Sequence, residues 1–114
     1  DLFYQLILTS NVEKGSMHTA YRVNYGDLLN DQPLVNDNAT LMLLSLLIKI
    51  KVTFVAIAGF DGFQALQNNY VDTQLETDLE APIIEEMNLQ IQKVVRSYYN
   101  SIDIQFLTDS IFQI

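Results

Sequence analysis

The chain has 114 residues, a formal net charge of −8 and 49% hydrophobic residues. That length suits one domain, and that apolar share is enough to build a core, which argues against a disordered chain. Six Lys and Arg against fourteen Asp and Glu leave no basic face for nucleic acid or an anionic membrane surface, and the lack of cysteine excludes disulfides, thiolate nucleophiles and zinc–thiolate sites.

Tyr4 to Thr9 reads as a strand closed by Ser10 and Asn11. Residues 13–19, with Gly15 and Ser16, read as loop. Tyr21 to Tyr25 alternates apolar and polar residues, the pattern of a short strand with one buried face. Gly26 to Asn36 is a loop rich in Asn and Asp, whose side chains bond local backbone in turns.

A helix is predicted from about Asn38. Asp37 or Asn38 can cap it by accepting a free N–H of the first turn. From Leu41 to Ile50 only Ser45 and Lys49 are polar, so this helix is expected to be buried on nearly all sides. Lys49 and Lys51 stand at its C-terminal end, where the helix dipole favours cations. Val52 to Ala58 follows with one polar residue, Thr53, and predicts a central parallel strand covered on both faces. The run Gly59-Phe60-Asp61-Gly62-Phe63 then breaks the pattern.

Residues 64–81 form a long polar connection. Pro82 suits the first position of a second helix. Glu85 and Glu86 are expected in the first turn, with Lys93 and Arg96 near the end. Ile84, Met87, Ile91, Val94, Val95 and Tyr98 recur at helical spacing and predict the buried stripe. Asn100 can end this helix in the left-handed region. Ile102 to Leu107 alternates as a one-sided strand, and the tail Ile111-Phe112 is expected to pack back.

The element order β, β, α, β, α, β predicts a Rossmann-like, three-layer α/β domain with a mainly parallel sheet. The chain starts at Asp1 and enters a strand almost at once, which reads as a piece cut from a larger protein. No helix joins the first two strands, so one sheet face is thinly covered and is expected to meet the rest of the parent chain or a second copy. The longest apolar run is far short of the roughly 20 residues that span a bilayer. With no basic leader at the N-terminus, the expectation is a cytoplasmic protein with no membrane partner.

Ligands of open α/β sheets sit beyond the carboxyl ends of the strands. Gly59, Asp61 and Gly62 fall there, and Asp61 can accept bonds from sugar or ribose hydroxyls; the alternative is a plain turn with Asp61 capping local N–H groups. Asn38 and Thr40 open the buried helix and can bind an anion at its N-terminus, or serve only as a cap. Ser10 and Asn11 can share that edge, and Tyr70 can stack on a ligand. Asp72, Glu76, Asp78 and Glu80 have no calcium-loop spacing and read as a solvated acidic loop, so no metal site is expected. His18, the one histidine, has no partners for a nucleophilic triad. No catalytic residue is assigned.

The segments Ile7-Leu8-Thr9-Ser10-Asn11, Asp37-Asn38-Ala39-Thr40-Leu41-Met42-Leu43-Leu44, Ala58-Gly59-Phe60-Asp61-Gly62-Phe63, Asn69-Tyr70-Val71-Asp72 and Phe106-Leu107-Thr108 carry a resemblance along nearly the whole chain. The chain resembles the C-terminal domain of bacterial aldolases of the 4-hydroxy-2-oxovalerate aldolase and HMG-CoA lyase group. The resemblance implies a preceding metal-dependent TIM barrel that holds the lyase site and its divalent metal. None of the barrel's metal ligands can be placed here. The domain itself would then be a non-catalytic accessory without a cofactor, binding a small ligand or mediating oligomerisation. The helix–strand–Gly-Phe-Asp pattern is also similar to Rossmann-like transferases, the bacterial sialyltransferases and pterin pyrophosphokinase-like proteins, which implies nucleotide binding at this edge. Those helices open with Ser-Gly, where this chain has Ala39 and Thr40.

Overall fold

Strands and helices alternate in the order that the sequence pattern predicts. The computed structural model describes residues 7–11, 21–63 and 81–113. Their elements are β1 (Ile7–Thr9), β2 (Tyr21–Val23), a 3₁₀ turn (Tyr25–Leu28), α1 (Ala39–Lys49), β3 (Phe54–Ile57), α2 (Ala81–Tyr98) and β4 (Asp103–Phe106). The strands form two short parallel pairs, β1 with β2 and β3 with β4. Among the described residues the molecule is therefore an α/β protein with two small parallel sheets and two helices.

The core lies where α1, α2 and the inner face of β3–β4 meet. Leu41 and Leu44 of α1 pack with Ile91, Val94 and Val95 of α2, with Ile104 of β4, and with Val35, Ile102 and Phe112. The stripe expected on α2 is the one that is buried, with Met87 and Tyr98 at its margin. Glu85 and Glu86 lie beyond the first turn of the described helix. One buried polar residue joins the stripe: Gln90, at 5% exposure.

The end of α1 follows from backbone geometry. Lys51 takes a φ of 68°. Its N–H donates to Ile48 O at 3.0 Å, and Val52 N–H donates to Leu47 O at 2.9 Å. That pair of bonds is a Schellman stop, which satisfies two of the carbonyls a helix end leaves over. Asn100, expected in the left-handed region after α2, is not there; among described non-glycine residues Lys51 alone has positive φ. Ser101 and Ile102 N–H both donate to Tyr98 O instead, so a tightened last turn closes α2 without a left-handed residue.

Two burial expectations are corrected. β3 is not an interior strand covered on both faces. Val55 and Ile57 point to the core, while Phe54 is 51% exposed and Ala56 is exposed as well. Among the described residues β3 has one strand neighbour, β4, and both helices lie on one side of the pair. An unbroken apolar run cannot by itself reveal that one face stays open. Nor is α1 buried all round: Leu43 is 53% exposed. The outer side of α1 contacts the 3₁₀ turn, and an apolar groove of about 480 Å³ lies between α1, that turn and the β1–β2 pair. Among the described residues no helix is long and apolar enough to cross a membrane.

Candidate functional site

The N-terminus of α1 and the C-terminal end of β3 share one rim. Asn38 caps α1, its Oδ1 accepting from Leu41 N–H at 3.1 Å. Met42 N–H donates to Asn38 O at 2.9 Å, so the helical ladder starts at once. The earlier N–H groups of the turn, including that of Thr40, have no intrahelical acceptor, as at any helix start. Beyond β3 the chain turns sharply through Gly59 (φ 79°) and Gly62 (φ 111°), conformations that glycine reaches without a Cβ penalty.

Between these two segments lies a cavity of about 300 Å³. Asn38, Thr40, Gly59, Phe60, Asp61, Gly62 and Phe63 line it, with Ile91 and Phe112 at its floor. Five residues singled out from sequence, Asn38, Thr40, Gly59, Asp61 and Gly62, are thus brought together. Ser10 and Asn11 stand elsewhere. Ser10 Oγ accepts from Tyr25 N–H at 2.9 Å and Ser10 N–H donates to Val23 O at 2.9 Å, so this residue extends the β1–β2 pairing. Asn11 is exposed beside it. Tyr70, His18 and the acids Asp72, Glu76, Asp78 and Glu80 lie outside the described residues.

The loop 59–63 is fixed from two sides. The segment after β4 supplies the first. Thr108 Oγ1 accepts from Gly59 N–H at 2.8 Å and donates to Asp61 Oδ1 at 3.4 Å. Ser110 Oγ donates to Phe60 O, and Ile111 N–H donates to Asp61 O at 3.3 Å. The rings of Phe60 and Phe112 lie 4.8 Å apart, tilted by 40°, within the favourable range for aromatic pairs. Helix α2 supplies the second. Asn88 Oδ1 accepts from Phe63 N–H at 3.0 Å, and its Nδ2 donates to Phe63 O at 2.9 Å. The bonds by which Thr108, Ser110 and Asn88 hold this loop are not legible in sequence, because they reach across 25 to 50 residues.

Chemically the rim offers a hydroxyl and an amide from Thr40 and Asn38, a carboxylate from Asp61, and aromatic walls from Phe60 and Phe63. Asp61 is the one ionisable side chain among the described lining residues. A single carboxylate accepts hydrogen bonds from hydroxyl or amine donors and opposes multiply charged anions. The described residues here contain no nucleophile paired with a base, and among them no cluster of three or more His, Asp or Glu could hold a metal ion. Set against protein-family models, curated proteins and solved structures, the chain matches none.

Proposed function

We propose that this chain is a non-catalytic, Rossmann-like accessory domain that binds a small hydroxyl-bearing ligand at the rim between α1 and β3. The observation that supports the reading is the convergence of Asn38, Thr40, Gly59, Asp61 and Gly62 around one cavity. Its volume of about 300 Å³ is at the low end for small-molecule sites. The ligand class follows from the lining. Asp61 accepts ribose or sugar hydroxyls, the start of α1 tolerates one phosphate, and Phe60 and Phe63 flank a ring. A mononucleotide meets all three demands; the carboxylate disfavours a triphosphate. The resemblance to the aldolase C-terminal domain supports the accessory role, with lyase chemistry and its divalent metal residing in a barrel elsewhere in the parent protein. The likeness to nucleotide-dependent transferases supports the ligand class.

Calorimetric titration and thermal-shift measurements with CMP, CDP and ATP test the reading. Binding of CMP more tightly than ATP, with a raised melting temperature, is the expected result. No heat and no shift with any of the three removes the ligand role. Metal-dependent cleavage of a 4-hydroxy-2-oxo acid by this chain alone removes the non-catalytic role.

A specific observation supports a second role, packing against the rest of the parent protein or a second copy. The outer face of β3–β4 is open, with Phe54 51% exposed and Leu107, just past β4, 61% exposed. A strictly monomeric state of the full-length protein, with this face still accessible, counts against it.

A further inference from the structure

We infer that Thr108 is a positioning residue of the rim site, an inference that rests on the ligand-binding reading above. Thr108 stands just past β4, 47 residues from Asp61 in the chain. A hydroxyl has one proton to give and two lone pairs with which to accept. Thr108 Oγ1 accepts from Gly59 N–H at 2.8 Å, so its proton is available for Asp61 Oδ1 at 3.4 Å.

One side chain therefore sets two features at once. It ties the left-handed Gly59 in place and turns the Asp61 carboxylate. An exposed aspartate otherwise distributes among several staggered rotamers. At 3.4 Å the bond to Oδ1 is long, so its value is directional more than energetic. With Oδ1 engaged, Oδ2 remains to accept from a ligand hydroxyl. Ile111 N–H holds the backbone carbonyl of the same aspartate at 3.3 Å, which prevents the loop from compensating by a shift. The rim is thus completed by the segment after β4, and the order of the carboxylate depends on a residue that does not line the cavity.

The test compares the wild type with T108V and T108S. Valine keeps the shape and removes both bonds; serine keeps the hydroxyl. Two readouts are taken: affinity for CMP, and hydrogen exchange of the Gly59 amide. The expected result is a CMP affinity reduced about twofold in T108V, less than one ordinary hydrogen bond because the contact with Asp61 is long. Gly59 exchange should be faster by about tenfold in the same variant. Both should return to near wild type in T108S, with the melting temperatures of all three close together. Unchanged Gly59 exchange in T108V, or a T108S that behaves like T108V, overturns the inference. A wild type that binds no CMP overturns the ligand reading instead. In that case Gly59 exchange and its rescue by serine still decide whether Thr108 sets the loop. A T108V that loses affinity only in proportion to a large drop in melting temperature reassigns Thr108 to a purely structural role.

Discussion

Gln90 Oε1 accepts from the backbone N–H of Leu34 at 2.9 Å, across 56 residues of sequence. Its Nε2 donates to Glu86 Oε1 at 3.0 Å, so a polar side chain buried in the α2 stripe has partners at both ends. The bond pins the loop before α1 to α2, and that loop delivers Val35 to the core and Asn38 to the rim. Gln90→Leu keeps most of the volume and leaves the Leu34 N–H without this acceptor. The expected cost is about 1 kcal/mol, the low end for an orphaned donor because Leu34 itself is 45% exposed and water can reach nearby. A urea midpoint unchanged from wild type would show that the pin carries no energy.

The two glycines of the rim loop differ in their surroundings, and that sets an order of cost. A Cβ on Gly59 would meet nothing within 4 Å, so Gly59→Ala bears only the left-handed φ, about 1 kcal/mol. A Cβ on Gly62 would lie 2.6 Å from Ile111 Cδ1 and 2.8 Å from its Cγ1, at a φ of 111°. Gly62→Ala should therefore cost more, about 2 to 3 kcal/mol with strain and clash together. Adding Ile111→Ala removes the clash and leaves the strain, so the double variant should recover part of the loss. Equal stabilities for the two single variants in chemical denaturation would refute this order.

Local chemistry was the part of the site legible in sequence. Asn38 was readable as a cap because a cap acts three residues away, and Gly59 and Gly62 because they punctuate an apolar run. The α2 stripe was legible for a similar reason: Ile84, Ile91, Val94 and Val95 share one face whatever lies opposite. What was not legible depended on distant partners. Nothing near Thr108, Asn88 or Gln90 announces the loops they hold. Phe54 and Ala56 look like core because an apolar run carries no record of how many faces are covered. Lys51, a residue with no preference for positive φ, takes the left-handed position at the end of α1 because Val52 N–H reaches Leu47 O from there, while α2 closes onto Tyr98 O without one. In that case hydrogen-bond closure outweighed residue preference.

Asn38 has a structural task as well as a place on the rim, and the two can be separated. Asn38→Ala removes the acceptor for Leu41 N–H and should cost about 1 kcal/mol. Asn38→Asp keeps the cap and should restore stability. It also replaces the amide with a second negative charge beside Asp61, so CMP affinity should fall below that of wild type. If Asn38→Asp binds CMP as wild type does, the amide plays no part in recognition. Melting curves and calorimetry on the same samples read the two effects independently.

Tyr98, half-buried near the end of α2, gives the fold an alkaline limit. Its phenol is raised above the ordinary value of 10.0, chiefly because burial penalises the phenolate. A hydrogen bond with Ser45 acts in the opposite direction, and the negative charge of Asp31 adds to the rise. In the unfolded chain the phenol ionises near 10, while in the folded protein it holds its proton to higher pH. The unfolded state is then the one that releases a proton, and stability falls as pH climbs from the unfolded value through the folded one. Below that window both states are neutral and the contribution is constant. Tyr98→Phe cannot ionise. Its stability does not respond to this ionisation, so the wild type should lose stability relative to it as pH rises past about 10. Urea midpoints of both proteins from about pH 8 to about pH 11 check this, and a gap that stays constant across that range would mean that Tyr98 does not titrate differently on folding.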